Sequence, residues 1–214
     1  MMQFGRNVEG FSIPVLNERE IRAAAGILFV MMFVAIQQAG LGNFTPIKFA
    51  ITFFLTDISI RVFLSPEYSP ALIVGRLIVR NQTPEYVGAI QKKFAWWIGF
   101  GLSASVFILM VVMNTFSPIS GIACMICLIF LFFETSFGIC LGCKFYALVY
   151  KEKAQYCPGE ICDIKSRHEI QKTSKLQIFI ILGFIIYIAM MIYFLNETYS
   201  KVPYDLFGIE EKFK

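Results

Sequence analysis

Gly138-Ile139-Cys140-Leu141-Gly142-Cys143-Lys144 holds the residues of this chain best suited to chemistry. Two cysteines three apart can share a disulfide, a metal or a transferred sulfur atom, and Lys144 beside them favours the thiolate that all three uses need. A second thiol pair, Cys157 and Cys162, completes the pattern C-x2-C-x13-C-x4-C. Four thiolates at such spacings can close around zinc or an iron–sulfur centre, with Cys140, Cys143, Cys157 and Cys162 as ligands. The second spacing is looser than in a zinc ribbon, so no metal is assigned. The loop pair can instead exchange disulfides with the helix-end pair, the flexible thiols resolving the fixed ones. His168, among charged residues, reads as solvated, and a single histidine excludes multi-histidine metal sites.

A third pair, Cys124 and Cys127, precedes these. On one continuous helix the first and second pairs stand about 24 Å apart, and Cys140 is turned roughly 140° from Cys127, which points with Glu134. A straight dithiol relay is thereby disfavoured unless Gly138 and Gly142 break the helix. Cys124 and Cys127 also suit small apolar filler. Gly138 and Gly142 form a small-xxx-small pair that lets another helix approach, which accounts for the glycines better than for the thiols.

The elements that carry these residues are apolar. With 57% hydrophobic and 16% charged residues among 214, and a mean hydropathy of +0.66, the chain cannot hide its apolar surface in a soluble core. A bilayer core takes about 20 apolar residues per helix. Five stretches qualify: 21–41, 47–64, 94–116, 119–141 and 176–195. The expected fold is all-α, a polytopic membrane bundle with a four-helix core, a fifth C-terminal transmembrane helix and one interfacial helix. Its parts are a four-helix domain over 1–150, a cysteine-containing loop over 151–175 and a C-terminal helix with tail over 176–214. Pro70 and the short run to Arg80, with Arg76 and Arg80 one turn apart, predict the interfacial helix near 69–80. The charged leader and the long first apolar run lack the form of a signal peptide, so the first span is expected in the mature protein.

Lys and Arg fall in the leader, between spans two and three and between spans four and five, whereas 42–46 and 114–118 hold none. The positive-inside rule then places the N-terminus and the Cys140–Cys143 pair in the cytoplasm and the C-terminus outside. The net charge of +4 matches loops facing anionic lipid and gives no sign of nucleic-acid binding. Reducing surroundings disfavour a structural disulfide there and favour catalytic or metal-binding use.

Ionisable residues within spans are expensive and mark function or pairing. Asp57 and Arg61, four apart, can pair on span two. Glu134 has no partner on its own helix, and near Arg61 it would complete a charge network joining spans two and four. Alternatively the three line a proton or ion pathway. No phosphate-cradling loop, nucleotide fingerprint or nucleophile elbow occurs.

Asn17-x-x-x-Ile21-Arg22, Asp57-x-x-x-Arg61-x-Phe63 with Pro66-x-Tyr68-Ser69-Pro70, Lys93-Phe94-Ala95, and Gly138-x-Cys140-x-Gly142-Cys143-Lys144-x-Tyr146 follow in order. As a set they resemble the bacterial membrane family called domain of unknown function 4395, over about residues 17–150. The resemblance implies a prokaryotic four-helix membrane domain with no established activity. In layout the chain is also similar to the DoxX and MauE type of small membrane proteins, associated with thiol and sulfur redox chemistry. The tail from Lys151 lies outside the resemblance.

The reading that results is a multi-pass protein of the prokaryotic inner membrane handling thiols, disulfides or sulfane sulfur at its cytoplasmic face. Such a protein would act as a thiol-disulfide oxidoreductase or sulfur-transfer protein, with a thioredoxin-like or sulfur-carrier partner. Metal binding, solute or ion transport, and a scaffold role built on the Gly138/Gly142 face are the alternatives.

Overall fold

The computed structural model describes residues 4–142 and 173–205. Among these residues six α-helices follow in order: α1 (Glu18–Gly40), α2 (Thr45–Ser59), α3 (Pro70–Ile78), α4 (Ala89–Phe107), α5 (Pro118–Phe137) and α6 (Lys175–Tyr199). Two of them continue through π-helical turns, α2 into Ile60–Leu64 and α4 into Ile108–Val112. Glu18–Gly40, Ala89–Val112, Pro118–Phe137 and Lys175–Tyr199 are four helices long and apolar enough to cross a membrane. The stretch Thr45–Leu64 runs 20 residues but is split by the π turn that contains Arg61.

Local chemistry sets the helix starts. Asn17 caps α1 by accepting from the Arg19 backbone N–H, and Glu18 and Glu20 lie in the first turn, where the exposed N–H groups favour negative charge. Ser117 and Ser120 form a reciprocal capping box at α5, as do Ser174 and Gln177 at α6. At its other end α5 stops at Phe137, four residues short of the expected Leu141, because Gly138 takes the left-handed conformation at φ +64°. That conformation suits glycine and ends the helix.

Two short strand pairs tie the bundle at its two ends. β1 (Val15–Asn17) runs antiparallel to β2 (Tyr86–Gly88), with Val15 opposite Gly88 and Asn17 opposite Tyr86. Since β1 leads into α1 and β2 into α4, this pairing holds two helix starts side by side. At the far end β3 (Thr115–Phe116) runs parallel to β4 (Tyr204–Asp205) and ties the α4–α5 turn to the chain after α6.

The core is built around α1, whose Ile21, Ala24, Ala25, Leu28, Met32 and Ala35 are buried at helical spacing. They meet Ile51, Phe54 and Ile58 of α2, Trp96 and Val106 of α4, and Leu128 and Leu131 of α5. α3 abuts the first turn of α1 so closely that a Cβ on Gly75 would lie 2.6 Å from the Glu20 carbonyl oxygen. Arg76 of α3 is buried rather than turned outward alongside Arg80, because Glu20 pairs with it at 3.0 Å. α6 lies along α2 through Phe184 against Phe53 and Tyr199 against Phe49, leaving Phe179, Tyr193 and Phe194 exposed. An apolar surface of this extent is compatible with lipid contact.

Candidate functional site

Charges cluster at the β1/β2 end, and the buried ones are paired. Asp57 is wholly buried. Its Oδ2 lies 2.5 Å from Arg61 Nη2, while its Oδ1 accepts from the Ser69 hydroxyl at 2.7 Å and from the Ala71 backbone N–H at 2.9 Å. Ser69 is the N-cap of α3 and also accepts from Arg61 Nε at 3.1 Å. One carboxylate therefore pairs with a guanidinium and also sits at a helix N-terminus. Arg61 in turn lies 5.3 Å from the centroid of the Trp96 ring, within cation–π range.

Glu134 on α5 finds its ion partner on α4: Lys92 Nζ lies 2.7 Å from Glu134 Oε1 and 2.8 Å from Glu18 Oε2. Lys92 and Glu18 are each 1% exposed, so this cation joins α1, α4 and α5 in the interior. Glu20 adds a third unit, pairing with Arg76 and accepting from the Asn17 side-chain amide at 3.0 Å.

Glu18, Glu20, Arg76 and Lys92 look like ordinary charges at loop edges in the sequence. The signal that could have found them is their closeness to apolar runs, together with the pairing of β1 and β2 that carries Glu18 to Lys92. Trp96 and Ser69, which touch the charges, carry no charge themselves and gave no signal alone.

A cavity of about 50 Å³ opens among α1, α2, α4, α5 and the segment after α5. Asp57, Arg61, Trp96, Cys127, Glu134 and Cys140 line it. Cys127 and Cys140 thus border one space, because Gly138 ends α5 and the chain beyond it leaves the helix path on which the two would diverge. Gly142 also lines the cavity, and a Cβ there would come 2.5 Å from the Ala95 Cβ, so the segment carrying Cys140 presses directly on α4. Beside Gly138 lies the Arg22 guanidinium, 3.1 Å from where a Cβ would stand. The glycines therefore serve two different purposes, a left-handed helix stop and a close approach.

Cys124 faces elsewhere. It lines an apolar groove of about 670 Å³ toward the β3/β4 end, with Ile36, Met110, Met125 and Ile129 among its neighbours. Cys143, Lys144, Cys157, Cys162 and His168 lie outside the described residues. Among the described residues no group of three or more His, Cys, Asp or Glu could hold a metal ion.

The model of the family described as domain of unknown function, DUF4395, matches residues 16–151. The chain belongs to this family. No curated protein and no solved structure matches it. The family segment contains every lining residue of the cavity, whereas α6 lies beyond it. Within the family segment, Asp57, Arg61 and Cys140, drawn from separate stretches of sequence, border one space.

Proposed function

We propose that this family member carries out thiol–disulfide or sulfane-sulfur chemistry through Cys140 and Cys143 at the cytoplasmic face of a prokaryotic inner membrane. The observation that carries the reading is the position of Cys140 on a cavity that also holds Asp57, Arg61 and Glu134. A thiol beside buried, paired charges has a fixed electrostatic setting in a water-poor space, where such charges act more strongly than in water. In this reading one of the two thiols attacks, the other resolves, and Lys144 favours the thiolate. Cys157 and Cys162 would exchange with the pair or, with it, hold zinc or an iron–sulfur centre.

The bilayer arrangement is part of the proposal. Thr45–Leu64 would be a further span beside the four long helices, with α3 near the headgroups and the β1/β2 end toward the cytoplasm. Support comes from Arg19, Arg61, Arg76, Lys92 and Lys93, which all belong to that end of their helices or to the segments next to it. The partner would be a thioredoxin-like or sulfur-carrier protein arriving from the same side.

Thiol trapping in intact cells tests the reading. Cys140 or Cys143 should be recovered oxidised or as a mixed disulfide with a soluble protein, and Cys140→Ser/Cys143→Ser should abolish that adduct. An unchanged phenotype and no adduct would leave the scaffold role instead. One observation favours a second reading, solute or ion transport: the cavity among the helices is lined by two carboxylates and a guanidinium. Uptake in vesicles lost on Asp57→Asn but kept in Cys140→Ser would decide for transport.

A further inference from the structure

Two chambers meet at one indole. The central cavity and a second space of about 30 Å³ nearer the β1/β2 end are both lined by Trp96 and Ile21. The smaller chamber has Arg6, Asn17, Glu20, Ser65, Glu67 and Arg76 on its walls. Trp96 stands between the two and is 4% exposed. Arg61, which lines the larger chamber, lies over its ring, and Phe4 meets it in an edge contact at 5.8 Å between centroids.

Arg76, which lines the smaller chamber, has a buried Nη1 without a hydrogen-bond partner. In the larger chamber Asp57 and Arg61 answer each other as an ion pair. The buried donor of Arg76 favours a guest able to accept from it. At about 10–15 Å³ for each water-sized occupant, the central cavity takes about three to five heavy atoms and the smaller chamber about two or three. The charges lining them are paired: Arg6 with Glu67, Arg76 with Glu20, Arg61 with Asp57 and Glu134 with Lys92. Paired walls favour a neutral guest over an ion, which would have to compete with a counter-charge already in place.

We infer that the two chambers form an entry route for a small neutral hydrogen-bonding solute, leading from the β1/β2 end into the bundle past Trp96 as its gate. Under the thiol reading of Cys140, on which the choice of substrate class rests, that solute is a low-mass thiol such as hydrogen sulfide or methanethiol. Glutathione and a protein cysteine are too large for the chambers and could reach Cys140 only from outside them.

Cys127 is a built-in reporter, since it lines the central cavity and not the smaller chamber. Full-length protein in lipid nanodiscs is treated with methylmercury chloride, a thiol reagent of three heavy atoms, or with the bulky p-chloromercuribenzenesulfonate. Occupancy at each cysteine is then read by mass spectrometry. Methylmercury should reach Cys127 and the sulfonate should not. Trp96→Ala should raise the methylmercury rate at Cys127 at least tenfold, Phe4→Ala by a smaller factor, and Trp96→Phe by less than threefold. The Phe4 and Phe-substituted variants keep the comparison readable if the alanine at 96 impairs folding. A rate at Cys127 that ignores both Trp96 and Phe4, or that rises instead with Met125→Ala on the exposed side of α5, would overturn the route.

The substrate class has its own arm. With a methylthio cap on Cys140, hydrogen sulfide that enters neutral gives up a proton as its sulfur attacks the cap sulfur, the S–S bond breaks, and Cys140, leaving as thiolate, takes up that proton while methyl hydrodisulfide departs. Trp96→Ala should speed this release at least fivefold for hydrogen sulfide and leave the glutathione rate unchanged; equal acceleration of both, or of neither, removes the size-selected class. If Cys140 proves inert while Trp96→Ala opens Cys127, the thiol reading falls and the route stands. A reactive Cys140 with an unchanged Cys127 gives the reverse.

Discussion

The two ends of the bundle handle buried charge in opposite ways. At the β1/β2 end, Asp57, Glu18, Glu20, Arg61, Arg76 and Lys92 are all buried and meet carboxylate to cation. At the β3/β4 end, Lys48 is buried to 1% exposure, yet its Nζ donates to neutral oxygens: Asn114 Oδ1 at 2.7 Å and the Lys201 carbonyl at 2.5 Å. Asn114 reaches that position with a left-handed φ of 49°, and its own amide donates to the Val202 carbonyl. Nearby, Thr52 and the Tyr199 hydroxyl share a hydrogen bond at 3.3 Å. The first end binds helices through opposite charges around a cavity. The second is a clasp of backbone carbonyls and amides closed on one lysine, beside a groove with an apolar lining.

The contrast has measurable consequences. The largest effect is expected for Asp57→Ala, which strands Arg61 in the interior and removes the acceptor at the start of α3. Breaking one partner of a buried pair costs about 3–5 kcal/mol, so unfolding in detergent should shift by that order. A loss below that of any substitution at the β3/β4 end would break the comparison.

Next in size, Glu18→Gln should cost more than Glu134→Gln. Both Glu18 oxygens lie near Lys92, at 2.8 and 3.1 Å, and its side chain is 2% exposed against 14% for Glu134. With Glu134 neutralised, Lys92 still has Glu18, and a cost of about 1–2 kcal/mol is expected, in the range of one charged hydrogen bond. Equal losses for the two would show that Lys92 does not favour the deeper carboxylate.

The smallest effect belongs to Lys48→Met. Its acceptors are neutral and lie near the chain surface, so losing the ammonium should cost only about 1 kcal/mol. Limited proteolysis near Lys201 should nonetheless rise, because the chain after α6 loses its anchor. A stability loss as large as that of Asp57→Ala would erase the distinction between the ends.

The long apolar runs were legible in the sequence because lipid-facing helices need little beyond length and hydropathy, and α1, α4, α5 and α6 all lie on expected spans. The stop at Gly138 was harder to read. A glycine there fits both a helix that continues to Leu141 with a packing face and one that ends in a left-handed turn. That single choice decides whether Cys127 and Cys140 diverge or border one cavity. Lys92 was hidden for a different reason: a lysine just before an apolar run has the look of a surface anchor, and only the pairing of β1 with β2 brings Glu18, 74 positions away, to it. Asp57 with Arg61 could be paired from their spacing alone. Ser69 and Trp96, which complete the surroundings of Arg61, came from elements whose contacts are set by tertiary packing.

The clasp at the β3/β4 end also orders events in time. The carbonyl that receives the Lys48 ammonium belongs to a residue 153 positions later in the chain. As the protein is made, Lys48 leaves the ribosome long before Lys201 does. Until then the lysine must keep its water or lean on Asn114 alone. Closing this end therefore waits until the chain after α6 has been made, and a chain truncated before Lys201 would lack the carbonyl that receives the Lys48 ammonium.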